Sequence, residues 1–248
     1  MAAYPPQADG RFPTTEWTLV ERLKNTDADV STRALSDLCR QYHYPLYCLI
    51  RARGLAHHDA EDALHDFFVK LLRLESLQGV EQEKGRLRTF LAKSAERSLI
   101  SRYHRESRRE KRELSAEALS LSFDADLADR YASEAAGDLP PDKLFDRKWC
   151  EQLLRQVLHH LGESYAERGK KAFFNTLRPV LLSGGSLRGH DPASLAAALG
   201  MSEPALRTAL VRLLRDYRQV LEHEVRQTVD SKEAVEAEIA ELMAALGS

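Results

Sequence analysis

The sequence predicts an all-α fold in which an acidic linker joins two helical modules, the second with a helix-turn-helix. Three observations predict this fold. Apolar residues recur at steps of three and four along most of the chain, which is typical of helices with one buried face. Gly (12) and Pro (9) are few among the 248 residues. Charged residues make up 30 % of the chain, which suits helices with solvated outer faces.

The cysteines and the apolar segments indicate a cytoplasmic protein without membrane contact. Cys39, Cys48 and Cys150 form no closely spaced pair, and an odd count argues against a disulfide framework. A reducing compartment is the simplest explanation. The first residues lack the basic-then-apolar pattern of a signal peptide, and no stretch approaches the roughly 18 apolar residues of a spanning helix. We expect no cofactor.

The first module, residues 1–112, begins with predicted helices on both sides of Pro45. Residues 27–54 have helical periodicity, but a proline removes a backbone donor, so we expect two helices there. Asp59 is then the expected N-cap of the next helix, with Glu61 and Asp62 in its first turn. The apolar face of that helix carries Ala63, Leu64, Phe67, Phe68, Leu71 and Leu72.

The acidic side of this helix has three interpretations. His58, Asp62 and Asp66 follow one another at four-residue steps and would share one helix face. Such a face suits a metal site and metal-dependent hydrolysis. The same acidic residues are also explained as capping charges at a helix start, or as a negative docking patch for a basic partner. The sequence leaves the three open.

A basic segment is followed directly by an acidic one. Residues 85–112 contain eight Arg and two Lys against three Glu, whereas residues 113–141 contain seven acidic residues and one Arg. This order suggests nucleic acid as a partner, although a solvated helix face beside a flexible linker would give the same pattern. Because Pro140-Pro141 cannot continue a helix, the acidic linker is predicted at residues 113–141.

The second module, residues 142–248, carries a predicted helix-turn-helix. Asp191 before Pro192 is an N-cap signal, and Gly200 suits a tight turn between two helices. The second of these helices starts after Ser202, and its outer side presents Arg207, Thr208, Val211, Arg212 and Arg215. In a helix-turn-helix this side enters the major groove of DNA. An ordinary helical hairpin is the alternative. A final helix is expected over residues 222–246.

Taken in order, these segments resemble an extracytoplasmic-function sigma factor of the sigma-70 superfamily. The resemblance rests on Asp59-Ala60-Glu61-Asp62 running into Phe67-Phe68, the segment Gly85-Arg86-Leu87-Arg88-Thr89-Phe90-Leu91 with its basic tail, the acidic linker, and Leu195-Ala-Ala-Ala-Leu-Gly-Met-Ser-Glu203. Phe12-Pro-Thr-Thr-Glu-Trp17 and Tyr44-Pro-Leu-Tyr47 are similar to a branch common in planctomycete-type bacteria. The resemblance covers almost the whole chain.

The resemblance implies core RNA polymerase and promoter DNA as partners, with no enzymatic activity in the chain itself. The helix from Asp59 would dock on the β′ clamp, and the polymerase-binding residues would be Asp59, Glu61, Asp62, Asp66 and Phe67. The basic segment would melt and read the minus-ten element, and the helix after Ser202 would read the minus-thirty-five element, near the β flap. The implied DNA-binding residues are Arg86, Arg88, Lys93, Arg97, Arg102, Arg105, Ser202, Glu203, Arg207, Thr208, Arg212 and Arg215.

Further implications concern regulation and an alternative function. The linker would thread toward the polymerase cleft, and an anti-sigma factor or another regulator is a further expected partner. The chain departs from many relatives at Arg97, where they carry Asn, and at Val211 and Leu214, where polar or basic residues are expected. The alternative is a helical protein-interaction adaptor of the same architecture that does not recognise promoters.

Overall fold

The computed structural model describes residue 22 and residues 27–72, 87–107, 127–134, 139–226, 228–229 and 234–247. Within these ranges the regular structure is entirely helical, which confirms the predicted all-α class. The helices are α1 (Ala28–Ala52), α2 (His57–Leu72), α3 (Leu87–Ser107), α4 (Leu127–Glu134), α5 (Pro141–Glu167), α6 (Lys171–Leu182), α7 (Pro192–Ala198), α8 (Glu203–Arg226) and α9 (Ala234–Gly247). None of these helices combines the length and the apolar character needed to cross a bilayer.

The chain forms two compact units whose limits differ from the predicted modules. Unit 1 extends to Gln152 and resumes at Arg226, whereas unit 2 runs from Leu153 to Val225. The boundary therefore lies inside α5 and not in the acidic linker. The last helix also differs from the expected single element over residues 222–246, because α8 ends at Arg226 and α9 begins at Ala234.

Pro45 does not divide α1, contrary to the prediction. Asp27 caps the helix by accepting a hydrogen bond from the Asp29 amide at 2.9 Å, and the helix continues through Pro45 to Ala52. A proline inside a helix costs about 3 kcal/mol. The residues around it, including Tyr42, Leu46 and Tyr47, are fully buried. This packing offsets the cost and keeps the two halves in one helix.

The core of unit 1 lies where α1, α2 and α3 pack against one another. Its fully buried side chains include Tyr42, Tyr47, Leu64, Phe68 and Leu91. The first half of α5 contributes Trp149, whose ring stacks on Tyr42 with centroids 6.5 Å apart. From α9, the Leu242 carbonyl accepts a hydrogen bond from the Cys150 thiol at 3.5 Å. On the apolar face predicted for the helix beginning near Asp59, the residues Ala63, Leu64, Phe67, Phe68 and Leu71 are buried as expected.

Part of the predicted linker is a helix packed on unit 1. In α4, Leu127 is buried and the Tyr131 ring meets Tyr47 edge-on at 6.0 Å. At the end of α4, Glu134 accepts hydrogen bonds from Tyr44 and Lys148, both at 3.0 Å. Residues 127–134 are therefore not a free tether, because apolar and charged contacts fix them. Residues 113–126 and 135–138 lie outside the described part of the chain.

In unit 2, the local signals correctly predict where α7 and α8 begin. Asp191 caps α7 by accepting from the Ala193 amide at 3.1 Å, and Pro192 occupies the first helical position. Gly200 has a φ of 64°, a conformation that residues with a side chain rarely adopt, in the turn between the two helices. The buried side of α8 carries Leu206, Leu210 and Leu213.

Candidate nucleic-acid interfaces

The outer side of α3 combines cations with exposed apolar and aromatic side chains. Lys93 and Arg97 are exposed, and Ile100 lies one turn further along the same face. Ile100 is 59 % exposed and Tyr103 is 71 % exposed, unusually high values for large apolar side chains. We call Lys93, Arg97, Ile100 and Tyr103 the α3 face. Its cations suit phosphate groups and its ring suits stacking on an unpaired base.

Arg88, which the sequence predicts as a DNA contact, does not belong to this exposed surface. It is only 6 % exposed. Its guanidinium lies 2.5 Å from Asp146, 2.9 Å from Glu238 and 3.3 Å from Glu241. It also lies over the Trp149 ring at 5.2 Å. Because α5 and α9 supply the partners of this arginine, its role is to join three helices of unit 1.

Arg102 faces the acidic side of α2. Its guanidinium lies 4.0 Å from Asp62 and 3.7 Å from Asp66. Two groups predicted to bind different partners are therefore neighbours within unit 1. Pairs of this length between partly exposed side chains contribute about 0–1 kcal/mol. Both sides therefore stay available to stronger partners.

The predicted docking residues of α2 divide into exposed and buried members. Asp59 is exposed, the Asp62 side chain is 74 % exposed and that of Asp66 is 37 % exposed. Phe67, also predicted as a polymerase contact, is buried at 4 % exposure and packs beside Phe68 with ring centroids 5.5 Å apart. The helix begins at His57, so Asp59 lies in the first turn and is not the N-cap.

The predicted hydrolase trio of His58, Asp62 and Asp66 does not form one cluster. His58 instead lies near His57 and Glu61, whose ligand atoms are within 4.8 Å of one another. Glu61, predicted as a docking residue, is thus drawn toward the two histidines, with its carboxylate 3.4 Å from His57 Nε2. Asp62 and Asp66 face Arg102.

Two further predicted DNA-binding residues have side chains outside the described part of the structure. Arg86 precedes the described part of α3. Arg105 lies on α3, but its side chain is not among those described. Their predicted contacts with DNA stay predictions.

In unit 2, the first four turns of α8 present a cationic surface with an apolar centre. Arg207, Arg212 and Arg215 are exposed, and Val211 between them is 67 % exposed. Arg207 pairs with Glu203 at 3.7 Å, and the Thr208 hydroxyl donates to the Pro204 carbonyl at 3.1 Å. Ser202 is also exposed, just before the helix. We call Arg207, Val211, Arg212 and Arg215 the α8 face.

A shallow groove of about 480 Å³ borders the α8 face. The loop after α6 forms its other wall with Gly185 and Leu187. Gly185 has a φ of 74°, and a Cβ at this position would collide with Leu214. The left-handed φ at this position favours glycine, and a larger residue would also require the Leu214 side chain to move.

Sequence reasoning missed the ion-pair cluster around Arg88 and the contact between His57 and Tyr47. Arg88 and Glu238 are 150 residues apart, so no local pattern links them. The Tyr47 hydroxyl lies 2.8 Å from His57 Nδ1. The four-residue spacing of His57 and Glu61 was a sequence signal for their proximity, but the predicted trio of His58, Asp62 and Asp66 includes neither residue.

The chain was compared with models of known protein families, with curated proteins and with solved structures. None of the three comparisons found a match. The functional assignment therefore rests on the residues of these surfaces and on the sequence resemblance.

Proposed function

We propose that this protein is an RNA polymerase sigma factor of the extracytoplasmic-function type, which binds core polymerase and promoter DNA and directs transcription initiation. The observation that carries the proposal is the α3 face, where Lys93 and Arg97 accompany the exposed Ile100 and Tyr103. A cationic helix face with an exposed ring is the chemistry that a separated DNA strand requires.

The α3 face suits one strand of DNA better than a duplex. Lys93 and Arg97 lie one turn apart and can each contact a phosphate. Tyr103 is 71 % exposed and carries a flat ring, and stacking of a base on such a ring contributes about 1–3 kcal/mol. A promoter base displaced from the duplex would stack there during opening of the minus-ten element.

The acidic side of α2 suits a basic partner surface such as the β′ clamp helices. Asp59, Asp62 and Asp66 follow one helix side and are exposed or partly exposed. The Arg102 guanidinium lies 3.7–4.0 Å from Asp66 and Asp62 and pairs with them weakly. Exchange of this weak pairing for a basic protein surface therefore costs little free energy. With Phe67 buried, docking would depend on charge more than on an aromatic anchor.

The α8 face suits the major groove of duplex DNA. Arg207 and Arg212 lie near the start of the helix, which is the part of a recognition helix that meets base edges. A bidentate contact from arginine to guanine contributes about 1–3 kcal/mol of discrimination. Val211 between them would contact apolar base edges such as a thymine methyl group.

The test is transcription by bacterial core polymerase with the purified full-length chain on host genomic DNA fragments. The proposal expects discrete transcripts that require the chain. Lys93→Ala with Arg97→Ala should reduce transcript yield without reducing binding to core polymerase. Arg40→Ala is the matched control, because Arg40 is an exposed cation on α1, outside the α3 face. If the double variant transcribes as well as the control, the α3 face does not bind the promoter.

Docking and duplex recognition are separated by two further pairs of variants. Asp62→Lys with Asp66→Lys should weaken polymerase binding, whereas reversal of the exposed Asp129 on α4 should not. Arg207→Ala with Arg212→Ala should weaken duplex promoter binding and reduce the slope of log affinity against log salt by about 1 for each lost phosphate contact. Arg178→Ala on α6 is the matched control. Unchanged binding in either pair would remove the corresponding interface.

The second candidate is an adaptor that binds protein partners without promoter activity. The observation that favours it is the withdrawal of Arg88 from the surface together with the 67 % exposure of the apolar Val211 on the α8 face. An adaptor would bind core polymerase or another protein but yield no chain-dependent transcripts. The transcription assay above therefore distinguishes the two candidates directly.

A further inference from the structure

His57, His58 and Glu61 bring three possible metal ligands together at the start of α2. The distance from His57 Nε2 to the Glu61 carboxylate is 3.4 Å, and that from His58 Nδ1 to the same oxygen is 3.7 Å. All three ligand atoms lie within 4.8 Å of one another. Glu61 is a turn beyond His57, which is the spacing at which two helical side chains reach one point.

Two of the three separations are close to those of a tetrahedral site. Bonds of about 2.0–2.1 Å from zinc to nitrogen and oxygen place tetrahedral ligands about 3.3 Å apart. The distances of 3.4 and 3.7 Å from the Glu61 carboxylate already lie near this value. The two imidazoles offer ligand atoms within 4.8 Å of each other, and the exposed His58 would turn toward the ion to complete the site.

A second and independent feature orients one of these ligands. The buried Tyr47 hydroxyl forms a hydrogen bond of 2.8 Å with His57 Nδ1, and the two rings meet edge-on at 6.0 Å. This contact holds the imidazole with Nε2 directed at Glu61. Metal-binding histidines in proteins are commonly fixed in this way, through a hydrogen bond from the nitrogen that does not bind the metal.

We propose that His57, His58 and Glu61 bind one divalent transition-metal ion of the zinc class, with His57 positioned by Tyr47. Two imidazoles and a carboxylate favour zinc and its neighbours over magnesium or calcium, which prefer oxygen ligands only. Three protein ligands leave a fourth coordination position for water or for a donor from a partner.

The site has a physical consequence that does not depend on the proposed function. An ion that binds the folded start of α2 and not the unfolded chain stabilises unit 1 by mass action. It also adds positive charge beside the exposed Asp59. If the acidic side of α2 docks on polymerase, a consequence that rests on the proposed function, the ion would weaken that docking.

The test is titration of the untagged full-length protein with zinc by calorimetry, supported by the visible absorption of cobalt as a coordination probe. We expect one ion per chain, a cobalt spectrum typical of tetrahedral coordination, and a higher melting temperature with zinc. His57→Gln and Glu61→Gln should each weaken binding at least tenfold. His65→Gln is the matched control, because it removes a histidine of the same helix outside the cluster.

Tyr47→Phe provides a readout of positioning. It removes the hydroxyl and leaves all three ligands, so it should weaken zinc binding about 10–100-fold while the stoichiometry stays at one. Circular dichroism checks that each variant is folded. The proposal is overturned if the wild type binds no zinc, or if His57→Gln and Glu61→Gln bind it as tightly as His65→Gln does. The ligand variants decide the question even where Tyr47→Phe does not fold.

Discussion

Replacement of Arg88 by methionine should destabilise unit 1 more than the same replacement of any exposed arginine does. Methionine keeps the length and the apolar stem of the side chain but removes the charge. Glu238 is fully buried, so loss of the guanidinium 2.9 Å away removes a close positive charge from a buried carboxylate. Removal of one member of a buried pair costs about 3–5 kcal/mol.

The expected loss is large enough to measure by thermal unfolding. At about 2–4 °C per kcal/mol for a chain of this size, the melting temperature of Arg88→Met should fall by about 6–20 °C. Arg97→Met on the same helix is the matched control, because Arg97 is exposed. Its effect should stay within about 0.5 kcal/mol.

A double variant separates the loss of charge pairing from the loss of packing. In Arg88→Met with Glu238→Met, neither buried charge remains. Asp146 and Glu241 can reach water, because their side chains are 33 % and 55 % exposed. The double variant should therefore recover most of the stability that the single variant loses. A cost below about 1 kcal/mol for Arg88→Met, or no recovery in the double variant, would refute the role assigned to this cluster.

Three smaller predictions concern pH and capping. The hydrogen bond with Glu224 raises the pKa of His160 above its usual 6.5 despite burial, so the pair stabilises unit 2 fully below that pH and loses its effect as the pH rises through the folded-state pKa. The melting temperature of His160→Gln should vary less as the pH rises above 6.5, and an unchanged profile would contradict this. Burial raises the pKa of Glu134, but hydrogen bonds from Lys148, Tyr44 and Arg130 outweigh burial and hold it at about 2, against 4.5 ordinarily. The stabilisation by Glu134 is thus present above pH 4.5 and is lost as the pH falls toward 2. Glu134→Gln should remove this contribution to the acid sensitivity of unfolding. Asp191→Ala removes the cap of α7 and should cost about 0.5–2 kcal/mol in denaturant unfolding, with no loss refuting the cap.

The features that sequence could predict are those set by neighbouring residues. Asp191 and Pro192 define the start of α7 through a cap and a fixed φ, both of which operate within one turn. The apolar stripe of α2 was also visible, because residues three and four apart share a face. Lys93 and Arg97, two of the DNA-binding residues that the resemblance implies, are exposed.

The features that sequence could not predict depend on contacts far along the chain. Pro45 stays inside a helix because packing from other elements offsets its local cost. The sequence around Arg88 does not distinguish it from the exposed arginines of the basic helix, because its partner Glu238 lies on α9, 150 residues away. Residues 127–134 have an acidic composition typical of a tether, but Leu127 and Tyr131 give the segment enough apolar surface to pack.

The most direct test of the sigma-factor proposal is the mapping of transcript 5′ ends made by core polymerase on host genomic DNA, with and without the chain. The proposal predicts new, discrete start sites that have shared sequence elements at a common distance upstream. These start sites should disappear when Lys93 and Arg97 are both replaced by alanine. Tight binding of the chain to core polymerase with an unchanged set of start sites would contradict it.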